Sequence, residues 1–137
     1  MYDVVIVGAG PAGLITAYEL LEKNKKLKVA ILDRGFKAEK RVCPINRDKT
    51  ECKNCKPCGI LSGFGGAGTF SDGKLNFVPK LGKTDLTKYM GQKEAFDLID
   101  DTEAIFNKFN MDSKVYPTNM DEAEEIKNKY LKLELVY

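Results

Sequence analysis

The sequence predicts an α/β fold built on a strand–helix–strand unit, and three observations carry that prediction. A short apolar run at residues 4–7 (Val-Val-Ile-Val) leads into the turn Gly8-Ala9-Gly10-Pro11-Ala12-Gly13. Residues 11–23 then place Leu14, Ala17, Tyr18 and Leu21 at helical spacing, on one face suited to burial. A second apolar run, 28–32, ends on Asp33, twenty residues past Gly13. Strand, turn, helix, strand and acid fall in one register.

Each part of that register has a task in gripping an ADP moiety. Gly8 permits the tight turn out of the strand, and Gly10 lets a pyrophosphate come against bare backbone. Gly13 lets the helix pack closely on the strand. Pro11 and Ala12 open the helix, whose N-terminus offers unpaired N–H groups and the positive end of its dipole to phosphates. Asp33 is placed to accept hydrogen bonds from a ribose 2′-hydroxyl. It would repel the extra phosphate of NADP, so Arg34 beside it reads as solvated or stacked on adenine.

Composition narrows the classes. With 43% hydrophobic and 31% charged residues and a net charge of +2, the chain reads as a soluble domain with no case for a nucleic-acid partner. The longest uncharged run, residues 4–18, is broken by three glycines and a proline and is too short to span a bilayer. A cytoplasmic location is expected, where four cysteines would not be structural disulfides. Histidine is absent, which removes the commonest general base. The paired acids Asp100-Asp101 and Glu122, Glu124 and Glu125 read as solvated helix faces.

Residues 34–57 are basic, lack either period and hold Cys43, Cys52 and Cys55, with Cys58 directly after them. The spacing C-x8-C-x2-C-x2-C lets thiolates converge on one zinc ion, or on an iron–sulfur cluster, or exchange as redox thiols. Four unligated cysteines in a loop is the plain alternative. Residues 59–91 hold eight of the twelve glycines, suited to tight turns and close ligand approach. Within them, Gly65, Gly66 and Gly68 free backbone N–H groups for an anion or a ring edge, Ser71 adds a hydroxyl, and Asp72-Gly73 makes a turn.

Downstream, Ala95, Phe96, Ile99, Ile105, Phe106 and Phe109 predict an amphipathic helix over 92–110. A shorter helix is predicted over 120–129, capped by Thr118 or Asn119. Residues 131–137 alternate like a strand. The organisation is thus a unit at 1–34, a Cys/Gly-rich region at 35–91, and helices with the start of a strand at 92–137.

The glycine fingerprint alone does not separate FAD from NAD. Its Pro-Ala filling, GAGPAGL, resembles flavoproteins of the two-dinucleotide-domain, glutathione-reductase-like type. The order RVCPI, CxxCxxC and GFGGAGTFSDGKL downstream of it closely resembles a family described as uncharacterised FAD-dependent dehydrogenases. The likeness covers essentially the whole chain, but only the N-terminal part of such a protein. It implies a Rossmann-like FAD-binding domain, with Gly8, Gly10, Gly13 and Asp33 at ADP-binding positions. Gly65, Gly66, Gly68, Ser71 and Gly73 fall in the block expected beside the flavin.

Members of that family continue with further strands and a substrate-facing domain. The chain is therefore expected to be an incomplete domain, inactive alone and completed by a C-terminal portion. The implied function is the FAD-binding part of a flavin-dependent oxidoreductase acting on a small-molecule substrate, with neither substrate nor catalytic residue assigned. The alternatives are an NAD(P)-dependent reductase, or use of NAD(P) as co-substrate, and a non-catalytic module in which the four cysteines bind a metal or a partner.

Overall fold

In the computed structural model the described residues are 1–112, 114 and 116–132. They divide into two units, Met1–Leu75 and Asn76–Tyr137.

In the first unit, β1 (Val4–Val7) pairs in parallel with β2 (Val29–Leu32), Val4 opposite Val29 and Val7 opposite Leu32. Asp3 sets this register from outside. Its carboxylate accepts the Lys28 N–H at 2.7 Å, and its own N–H donates to the Lys28 carbonyl at 2.9 Å. At the other end the Gly8 N–H reaches the Leu32 carbonyl at 2.7 Å, so the ladder runs on into the turn. Helix α1 (Pro11–Lys23) connects the strands, with Pro11 at its first position, where a missing N–H costs nothing. The predicted bounds hold, apart from Lys28, which lies just outside β2.

Burial alternates along β1: Val4 and Ile6 are half-buried, while Val5 and Val7 are exposed. On α1 only Ala17 is fully buried; Leu14 and Tyr18 are half-buried and Leu21 is exposed. One helix covers one face of two strands, and the other face stays bare. The parallel sheet has two strands among the described residues. Residues 34–57, predicted without period, contain the short helix α2 (Pro44–Asp48). Five residues are too few for a hydrophobic period to register.

In the second unit, β3 (Lys80–Leu81) and β4 (Thr84–Asp85) form an antiparallel hairpin around Gly82-Lys83, with Gly82 at φ 58°. A glycine of positive φ opening a two-residue loop is the hairpin signal that the strand pattern, two residues long, was too short to announce. The Asp85 carboxylate then accepts the Thr87 N–H at 3.1 Å and begins a short turn of helix.

Helix α3 (Gln92–Lys108) buries Ala95 and sets Phe106 edge-on to Phe77, centroids 6.4 Å apart. Phe96 and Phe109, expected in its buried face, are exposed: the stripe is wider than anything in this unit that packs against it. Asn110, in the left-handed region, ends the helix as a C-terminal cap does. Helix α4 (Met120–Lys132) is capped by Asn119, whose Oδ1 accepts the N–H groups of Asp121 at 3.0 Å and Glu122 at 3.2 Å. It runs past the predicted end, so Leu131 and Lys132 are helical and not strand. Residues 133–137 of that predicted strand lie outside the described residues. No described helix is long and apolar enough to cross a membrane.

Replacing Asn119 by Ala removes the cap and costs α4 about 1 kcal/mol. Amide exchange at Asp121 and Glu122 should then quicken by roughly fivefold; unchanged exchange there would show the cap to be idle.

Candidate functional site

The site is built around one peptide. Ala9, fully buried in the turn between β1 and α1, donates its N–H to Asp33 Oδ2 at 2.9 Å. Its carbonyl accepts the N–H of Gly65 at 2.8 Å. The first glycine turn, the acid at the end of β2 and the second glycine block therefore meet at a single residue. Asp33 also accepts the Gly35 N–H at 2.8 Å through Oδ1. The Ala9 and Gly35 N–H groups hold the Asp33 carboxyl below its ordinary 3.8, with smaller help from Gly63 and Arg34, against a desolvation effect that raises it.

The mouth of α1 is open to an anion. Gly10 caps it without a side chain, and the first turn carries no acid. A Cβ placed on Gly10 would meet nothing nearer than the Gly66 Cα at 3.9 Å. Gly13 is different: a Cβ there would overlap the Gly8 carbonyl oxygen and crowd Ile6. Gly13 is thus required by the fold, whereas the space at Gly10 is left for something else. Gly66, at φ 69°, lies so close to Gly10 and Pro11 that a Cβ would stand 3.1 Å from the Gly10 Cα and 3.2 Å from Pro11 Cδ. It forms one wall beside the helix mouth.

The expected site residues separate into two groups. Gly8, Gly10, Pro11, Ala12, Gly13, Asp33, Gly65 and Gly66 come together. Gly68, Ser71 and Gly73 are exposed and bonded among themselves, Ser71 Oγ donating to the Gly68 carbonyl at 2.8 Å and accepting from the Gly73 N–H at 3.3 Å. Arg34 points back to the protein, its Nε donating to Ser62 Oγ at 3.1 Å. The carboxylate expected to serve a ribose spends one contact from each oxygen on the backbone. Its remaining lone pairs are what a ribose could use.

Sequence reading missed Arg41. It is buried, and its guanidinium donates to the carbonyls of Gly59 at 2.9 Å and Phe64 at 2.7 Å, to that of Ile60, and to Thr69 Oγ1 at 3.1 Å. It also lies over the Phe70 ring, 4.8 Å from the centroid. Arg41 staples the second glycine block from behind. In the sequence it opens the RVCPI run within a basic stretch, and nothing in its spacing marks this role for its side chain.

All four cysteines are free and line one cavity of about 360 Å³, Cys43 and Cys58 half-buried, Cys52 and Cys55 exposed. The N–H groups of Leu61 and Ile60 push the Cys58 thiol below its ordinary 9.0, and the charges of Arg41 and Arg34 add to this against desolvation. Among the described residues no three thiols or carboxylates stand close enough to hold one metal ion.

Residues 3–40 match the profile of the FAD dependent oxidoreductase family DAO. The L-2-hydroxyglutarate dehydrogenase, mitochondrial, of Dictyostelium discoideum is 56% identical over 34 residues, 25% of this chain and 8% of that protein. The chain thus spans a small part of the curated relative it matches. No solved structure matches. The matched N-terminal segment is similar to the corresponding part of FAD dependent oxidoreductases, which supports FAD as the cofactor. The match is to this family and not to the glutathione-reductase-like type that the Pro-Ala filling suggested. It lends no support to zinc, an iron–sulfur cluster or NAD(P). The helix mouth fits such a cofactor: it is uncapped, free of acids, and clear in front of Gly10.

Because the folded Asp33 carboxyl titrates below its ordinary 3.8, its contribution to stability is complete above that value. It is lost as pH falls through the folded value. Asp33→Asn should therefore lower the thermal midpoint at neutral pH, and the gap to the parent should close below about pH 4. A gap that stays constant down to acid pH would remove the carboxylate from this role.

Proposed function

We propose that this chain supplies the ADP-gripping and flavin-facing part of an FAD-dependent dehydrogenase that acts on a small soluble substrate in the cytoplasm. The observation that carries the proposal is the junction at Ala9, which sets the second glycine block beside an uncapped helix mouth. Bound there, the flavin would supply hydride or electron transfer at its ring. The chain's own part is to bind and to orient. The N–H groups at the start of α1 would take the pyrophosphate. Asp33 would take the ribose through the lone pairs it keeps free, and Gly65 and Gly66 would bound the path toward the ring.

A further C-terminal portion is part of this proposal. The bare strand face, with Val5, Val7 and Leu32 exposed, suits a covering layer from such a portion. A match of 34 residues is about the length of one strand–helix–strand unit, so the cofactor is inferred from the family match and the relative's substrate is not carried over. The proposal stops at an FAD-dependent dehydrogenase. The glutathione-reductase-like type rests on the filling of one turn, and a nicotinamide cofactor has no observation in its favour.

The two glycines provide the test. Gly10→Ala should keep the thermal midpoint of the FAD-free chain and lower bound FAD by about tenfold or more, since the added methyl stands where the diphosphate must come. Gly13→Ala should lower the midpoint itself. Flavin released on denaturation is read by its visible absorption. Stoichiometric FAD in Gly10→Ala would overturn the site, and release of a nicotinamide nucleotide in place of flavin would overturn the cofactor.

A further inference from the structure

We propose that Cys43, Cys52, Cys55 and Cys58 hold a [4Fe–4S] cluster in the cavity they share. The proposal is independent of flavin binding. Its first support is placement: four cysteines spread over sixteen residues all line one cavity of about 360 Å³, with Ile45 and Leu61 adding apolar wall. Chain order is the second. In two-cluster ferredoxins a Cys-x-x-Cys-x-x-Cys triplet is completed by a Cys-Pro cysteine from another run. Here Cys52, Cys55 and Cys58 form the triplet, and Cys43-Pro44 supplies the other cysteine.

The triplet with a remote Cys-Pro cysteine is what favours a cluster over a single ion. Among the described residues the thiols are not gathered for a metal ion, so loading must draw them together. A mononuclear zinc site needs all four sulfurs within bonding distance of one centre. In a cubane each thiolate binds its own iron, and the four sulfurs stay apart around the core. The triplet lies in a segment, residues 49–58, without helix or strand, so it can adjust without breaking a ladder.

Charge is the third support. A cluster bound by four thiolates is anionic, and buried anions need compensation. Arg41 is a buried guanidinium whose partners are three carbonyls, a hydroxyl and an aromatic face; no carboxylate among the described residues pairs with it. Two of those carbonyls belong to Gly59 and Ile60, the residues directly after Cys58. Lys53 and Lys56 line the same cavity.

The test is metal and sulfide analysis of the full chain, purified without oxygen and reconstituted with ferrous iron and sulfide. About four irons and about four acid-labile sulfides per chain are expected, with a paramagnetic signal after dithionite reduction. Cys55→Ser, at an exposed position, should lose most of both while keeping its far-ultraviolet circular dichroism. As a second measure on the unaltered chain, the four thiols should resist alkylation until the iron is stripped. One zinc per chain without sulfide would overturn the cluster in favour of a mononuclear site. Neither metal after reconstitution, or full iron in both Cys52→Ser and Cys55→Ser, would overturn the site itself. Flavin is measured separately, so its presence or absence decides nothing here.

Discussion

The peptide of Ala9 is the constraint on which the rest of the first unit depends. Its N–H is bound by Asp33 at the end of β2, and its carbonyl by the N–H of Gly65. An unpaired buried peptide group is costly, so both bonds are obligatory once Ala9 is covered. Ala9 is fully covered. From this follow the position of the glycine turn on the strand pair and the position of the second glycine block on the turn. The Arg34 bond to Ser62, the Phe64 N–H on the Phe36 carbonyl and the fan of bonds from Arg41 tie the same distant stretches together.

Arg41 does for the back of the second block what Ala9 does for its front. The carbonyls it gathers, from Gly59, Ile60 and Phe64, belong to a stretch with neither helix nor strand over most of its length. A loop cannot satisfy its own carbonyls by a ladder, and five guanidinium donors in a fixed fork are an efficient substitute. Lysine, with one nitrogen on a flexible stem, would not reach the same acceptors together.

This explains what could be read from the sequence and what could not. The strand–turn–helix bounds and the close approach at Gly13 were legible because local sterics and hydrophobic period dictate them. Asp33 was legible as a site residue, but not its backbone bonds to Ala9 and Gly35, which bring together residues 24 apart and two apart. The role of Arg41, though it opens the RVCPI run, was invisible for the same reason: its partners lie 18 to 28 residues downstream. Helix α2 and the hairpin at Gly82 were too short to leave a period. Leu131 and Lys132 alternate as a strand would, yet the helix begun at the Asn119 cap propagates through them, since extending a helix costs less than starting a new element.

Burial sets the last limit on the fold. The buried apolar residues are Ala9, Ala17 and Ala95, and no large side chain is fully buried among the described residues. At about 25 cal/mol per Å² of apolar surface, alanines alone contribute little against the entropy of ordering the chain. The first unit is therefore held mainly by directed bonds: the parallel ladder, the Asp3 and Asp33 carboxylates, and the Arg41 fork. Such bonds specify geometry more strongly than they stabilise it. A unit so constructed gains most from whatever binds its folded form alone, because ligand binding adds stability as the logarithm of one plus the ratio of free ligand to its dissociation constant. A dinucleotide at the mouth of α1 would act in that way, stabilising the same turn that positions it.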